Sequence, residues 1–178
     1  MKAERWQLAA ALGLIVLGVS LRLLPHPANF APIAAIAIFG GAILPRPIAV
    51  WVPFGAMAVS DLFIGVYSMM PVTWACYILI ALASSHWLRK PNLFKGAALT
   101  LSSSLFFFIV TNFAVWLTSG MYAHTWVGFI RCYYMALPFF RATLASDVAY
   151  TTVLFGLFAW VRVLVSNRLA KSFSKAAR

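Results

Sequence analysis

The chain has 178 residues, 63% of them hydrophobic and only 10% charged, with a mean hydropathy of +0.91. An ordinary soluble domain is roughly 45–50% apolar and about 25% charged, so a globule that hides this much Phe, Trp, Leu and Ile from water is excluded and lipid is the expected solvent. The net charge of +11 does not point to nucleic acid, because the cations stand between apolar runs and at the chain ends, where they act as topology signals and contacts with anionic lipid.

A spanning helix needs about 20 apolar residues, and the chain divides accordingly. The run Trp6–Leu24 follows Lys2 and Arg5 as in a signal peptide, but it is long and lacks a small-x-small cleavage site, so it reads as a retained first helix. Pro25-His26-Pro27 breaks it. A short second helix, 31–44, ends at Pro45-Arg46-Pro47; at about 21 Å it needs shelter from its neighbours. Its pairs Ala31/Ala35 and Ala37/Gly41, four residues apart, favour close backbone approach.

A third helix covers 48–59, and the run Pro53–Tyr67 extends it past Asp61. Ser68-Met69-Met70-Pro71 turns into a fourth helix, 72–88, and the basic loop Arg89-Lys90-Pro91-Asn92 leads to a fifth, 96–117, stopped by Thr118-Ser119-Gly120. The stretch 121–141, aromatic and containing Pro138, is expected as a partly immersed cap. A sixth helix, 142–165, precedes a basic cytoplasmic tail, 166–178. The fold class is therefore an all-α integral membrane protein, one six-helix transmembrane domain over residues 1–178.

Six helices put both termini on one side. That side carries Lys2, Arg5, Arg46, Arg89, Lys90, Lys95, Arg168, Lys171, Lys175 and Arg178, whereas the other keeps Arg22, Arg131 and Arg141; the excess marks the first side, with both termini, as cytoplasmic. The unusual polar residues then gather toward the outer face. Asp61 lies about 21 Å along its helix from the cytoplasmic end. Asp147, Asn112, Thr111 and the connections holding His26, Asn29, Tyr122, His124 and Arg131 fall on the same side.

The acids number three: Glu4, Asp61 and Asp147. A carboxylate in hydrocarbon costs at least about 2.5 kcal/mol, so it is paired or faces a cavity. Asp61 is read either as a structural partner of Arg22, Arg131 or Arg141, or as a ligand contact; Asp147 has the same two readings. Asn112 is an interhelical hydrogen-bond residue or a ligand contact, and the Trp and Tyr residues form an aromatic belt or stacking surfaces. His26 and His124 lack further ligands at metal spacing, and Cys76 and Cys132 read as unrelated thiols. No catalytic motif occurs, and no enzymatic activity, cofactor or metal is expected. An outward polar and aromatic site suits capture of a small molecule, with arginines for an anionic group and rings for a flat one. The expected ligand-binding residues are Asp61, Asn112, Arg131, Arg141 and Asp147, with Trp116 and Tyr122 as stacking surfaces. Two other readings are a non-transport accessory protein whose polar cluster only holds the bundle together, and an intramembrane enzyme.

The motifs R-L-L-P-H-P-x-N-F-x-P-I at Arg22–Ile33, S-D-L-F-x-G at Ser60–Gly65, T-N-F-x-V-W at Thr111–Trp116 and P-F-F-R-x-T-L-x-x-D at Pro138–Asp147 resemble those of a family of small bacterial membrane proteins of unknown function. That family in turn resembles the substrate-binding S components of energy-coupling-factor (ECF) vitamin transporters. The resemblance implies a multi-pass subunit of the bacterial cytoplasmic (inner) membrane that binds a vitamin or similar small molecule near the outer face, without a covalent step. It also implies a transmembrane coupling protein and two cytosolic ATPases as partners. Ala9-x-x-x-Gly13 is the nearest match to the small-residue surface that meets the coupling protein in S components.

Overall fold

The computed structural model describes residues 2–89 and 92–176, with side chains over 5–89 and 92–168. Its secondary structure is six helices: α1 (Lys2–Leu23), α2 (Ile33–Ile43), α3 (Arg46–Ile64), α4 (Met70–Trp87), α5 (Leu93–Thr118) and α6 (Trp126–Ala176). Parts of α1, α3, α5 and α6 (Arg5–Leu23, Arg46–Ile64, Leu93–Thr118 and Trp126–Arg168) are long and apolar enough to cross a membrane. Lys90 and Pro91 of the basic loop, and Arg178 of the basic tail, lie outside the described residues.

The architecture is organised by its shortest helix. Residues Ile33 to Gly41 of α2 are all buried, and α2 touches every other helix. Its composition permits this, since Ala and Gly let neighbours approach where larger residues would hold them off. A Cβ on Gly41 would stand 2.6 Å from the Ala81 carbonyl oxygen and 2.6 Å from Ser84 Cβ. Ser84 Oγ donates to the Ile38 carbonyl across the same contact, at 2.5 Å. The Ala37/Gly41 pair thus borders the close α2–α4 approach. On the opposite side Phe39 meets Phe155 and Phe158 of α6 edge-on at 5.1 and 5.7 Å. At Gly18 of α1 a Cβ would be 3.0 Å from both Ala56 of α3 and Ile36 of α2.

Around α2, helices α1 and α3 pair, α3 packs on α4, and α5 pairs with α6. With 11 residues, α2 is only about 16 Å long. The bundle therefore has a filled lower part and, beyond the amino end of α2, a space between the α1/α3/α4 group and the α5/α6 pair.

Several helix ends depart from the sequence expectation, each for a local reason. α5 starts at Leu93 rather than 96 because Asn92 caps it, its Oδ1 accepting from the Phe94 and Lys95 amides at 2.9 and 3.4 Å. It ends where Gly120 takes a φ of +70°, a backbone region glycine enters without a Cβ clash. α3 runs on through Asp61 to Ile64 and ends at Gly65, φ +97°. The largest difference is in 121–141. Instead of an irregular cap, helix resumes at Trp126, capped by Thr125 Oγ1, which accepts from the Gly128 amide at 3.2 Å. That helix passes through Pro138 to Ala176, and so includes most of the stretch expected as a tail. Pro removes one helical hydrogen bond without ending a helix that its neighbours hold. Here the aromatic contacts of Phe108 with Phe140 and Tyr133, at 4.8 and 5.5 Å, brace both sides of Pro138.

Candidate functional site

The space above α2 is a cavity of about 300 Å³. Its floor is Ala31 and Ile33, where α2 begins. One wall is Met57 and Ile64 of α3 with Tyr67 of the following turn, continued by Thr73 and Tyr77 of α4. The facing wall is Phe107 of α5 with Thr143 and Asp147 of α6. The last turn of α1 supplies Arg22, and the α1–α2 connection supplies His26 and Asn29, both exposed, so the cavity leads from an exposed mouth to a buried carboxylate. The turn in that connection depends on Asn29, whose φ of +61° is one that Asn tolerates better than most residues.

Beside the cavity stands a closed polar cluster centred on Asp61, only 4% exposed. Arg22 Nη1 lies 2.5 Å from Asp61 Oδ1. The pair is a close charge contact in which Asp61 Oδ1 takes no aligned hydrogen bond, and the same nitrogen donates to Ser60 Oγ at 2.5 Å. Asp61 Oδ2 accepts from Trp74 Nε1 at 2.7 Å and, more loosely, from the Tyr67 hydroxyl at 3.5 Å. Tyr67 is 2.9 Å from Thr73 Oγ1 and accepts from Arg22 Nη2 at 3.4 Å. Sequence spacing builds this arrangement. Ser60 and Asp61 are neighbours near the end of α3, Tyr67 lies in the turn after it, and Trp74 is one turn into α4. Arg22 enters from the last turn of α1, so one guanidinium ties three elements together.

Asp147 has a different environment. It is 2% exposed and accepts a hydrogen bond from Ser104 Oγ at 2.6 Å. Among the described residues it has no cationic partner, and it borders the cavity. Tyr77 and Phe107, which also line the cavity, stack on each other with centroids 5.0 Å apart.

The residues singled out from the sequence fall in three places. Asp147 lines the cavity, and Asp61 stands behind its Arg22 and Tyr67 wall. Asn112, Trp116, Tyr122, Arg131 and Arg141, all on α5, α6 or their connection, do not border the cavity, although Arg141 precedes the cavity-lining Thr143 by two residues. There Asn112 Nδ2 donates to the Phe108 carbonyl of its own helix at 2.7 Å. Trp116 is packed against Phe129 and His124 and donates to the Ala123 carbonyl at 3.1 Å. Tyr122 is half-buried, and Arg131 and Arg141 are exposed. Ala9 and Gly13 share an exposed face of α1, with nothing within 4 Å of a Cβ placed on Gly13. Cys76 and Cys132 are buried free thiols.

Sequence reasoning did not single out Ser104, Thr143, Tyr77 or Phe107. Ser104 was findable, since Ser102-Ser103-Ser104 is a polar triplet within an apolar helix, and such residues in lipid seek interhelical partners. Tyr77 and Phe107 carry no signal that separates them from core aromatics.

The chain belongs to a family of unknown function (DUF6580), which it matches over residues 2–170. No curated protein and no solved structure matches it.

Proposed function

We propose that this chain is a membrane-embedded substrate-binding subunit for uptake of a vitamin or similar small molecule, resembling the S components of ECF transporters. It crosses a bacterial cytoplasmic membrane as a six-helix bundle with both termini inside, and its cavity opens toward the outer face. The membrane reading is supported by four long apolar helices and by large side chains on the outer surface, such as Leu62 and Trp51 at 82% and 64% exposure. A contiguous apolar exterior of this kind is not sustained in water. The orientation rests on the distribution of Lys and Arg.

One observation carries the binding reading. The cavity of about 300 Å³ has an exposed mouth and ends at a buried carboxylate with no cation beside it among the described residues. That volume is at the lower end of small-molecule sites. Binding at the outer face followed by reorientation of the bundle needs no covalent step. A transmembrane coupling protein and cytosolic ATPases are the partners this reading calls for, with the exposed Ala9/Gly13 face of α1 as the contact.

A second reading is favoured by the Arg22–Asp61 cluster, in which every charge has a partner within the chain. On that reading the protein is a non-transport accessory whose polar residues hold the helices together. The two are separated by purifying the protein in mild detergent and identifying small molecules that come with it by mass spectrometry. A stoichiometric organic molecule supports uptake. An empty protein that no fraction of a small-molecule extract stabilises against heat supports the accessory reading.

A further inference from the structure

We infer that the cavity selects a ligand bearing a positive charge, a protonated amine or cationic ring held against Asp147. This deepens the small-molecule reading above and rests on it. The inference reverses the sequence expectation of an anionic group met by arginines, and it follows from where the charges lie.

The charges of Arg22, Asp61, Arg131, Arg141 and Asp147 define the local balance, with His26 at the cavity mouth. Arg22 borders the cavity, but its guanidinium is committed to Asp61, Ser60 and Tyr67. Arg131 and Arg141, the other outer arginines, do not border the cavity. Asp147 is 2% exposed, borders the cavity and takes one hydrogen bond, from Ser104. A carboxylate has room for about four hydrogen bonds, so most of its accepting capacity is unused within the chain. The amino end of α2 also faces the floor, and its dipole is worth about half a positive charge. With Arg22 paired to Asp61, that dipole offsets Asp147 only in part. An anion entering here would meet an uncompensated carboxylate, whereas a cation supplies the missing partner. Beside that position Tyr77 and Phe107 present aromatic surface, which attracts cations and packs flat groups.

The test uses three probes of matched shape and different charge: phenethylamine, 2-phenylethanol and phenylacetate. Binding to the detergent-solubilised full chain is measured by isothermal titration at neutral pH. The expected order is phenethylamine about tenfold or more tighter than 2-phenylethanol, equivalent to about 1.4 kcal/mol or more, with phenylacetate weakest. In Asp147→Asn, which keeps an oxygen for Ser104 and removes the charge, the amine should lose its advantage. The wild-type ranking stands as a test by itself should that variant not fold. Preference for phenylacetate or 2-phenylethanol, an unchanged amine preference in Asp147→Asn, or no binding of any probe overturns the inference. Failure of the underlying binding reading is distinguishable, because it would also leave the purified protein without a co-purified molecule.

Discussion

The two carboxylates beside the cavity sit in contrasting surroundings. Around Asp61 the chain has gathered a guanidinium, an indole N–H and a tyrosine hydroxyl from three separate elements, and its charge is neutralised within the chain. Around Asp147 there is one serine and an opening. Burial is nearly equal, 4% against 2% exposed, so burial does not distinguish the two. Partnering does. A buried charge paired with a cation of its own chain is part of the scaffold, while one with a single neutral partner is a place where something else can bind.

Four substitutions probe this contrast. The largest effect is expected from Asp61→Ala, which leaves the Arg22 guanidinium without its counter-ion. Breaking one partner of a buried pair costs roughly 3–5 kcal/mol, and thermal unfolding in detergent should report it. A variant as stable as wild type would mean that the cluster does not hold α1, α3 and α4 together. Next is Gly41→Ala, in the α2–α4 contact at the end of α2 away from the cavity. Its Cβ would meet the Ala81 carbonyl oxygen at 2.6 Å, and overpacking of this kind typically costs about 1–3 kcal/mol. An unchanged unfolding midpoint would show that α2 and α4 have room to separate.

Asp147→Asn should change stability by no more than about 1 kcal/mol, since the Ser104 hydrogen bond survives and one neutral bond is worth that order. A loss as large as that of Asp61→Ala would place Asp147 in the scaffold too and erase the distinction. The smallest effect belongs to Arg131→Ala, at an exposed position away from both clusters, within about 0.5 kcal/mol of wild type. If that change removed a co-purified molecule, the binding site would lie at the α5–α6 end instead of above α2.

How much of this was legible in the sequence depends on the range over which each feature is decided. The all-helical class and the positions of the breaks came from apolar runs and from Pro and Gly, which act locally. Gly120 and the paired prolines around Arg46 are local signals, and they mark the turns seen in the structure. The caps at Asn92 and Thr125 are local as well, but each precedes residues that an apolar-run reading leaves outside the helix. The start of α5 and the first 16 residues of α6 were therefore missed. Pro138 lies in the stretch expected as a cap, and its effect on a helix depends on neighbours that a linear reading does not contain. For the site, sequence reasoning located Asp61 and Asp147 through the rarity of acids, and the Arg22–Asp61 pair was among the partnerships considered. Arg131 and Arg141 do not border the cavity. That is a tertiary fact with no trace in local pattern.

The most direct measurement is the amount of small molecule retained per protein chain after purification, compared between wild type and Asp147→Asn by quantitative mass spectrometry, with helical content verified for both. The account expects close to one molecule per wild-type chain and nearly none in a folded Asp147→Asn. Equal retention by the two proteins, or none by either, would contradict it.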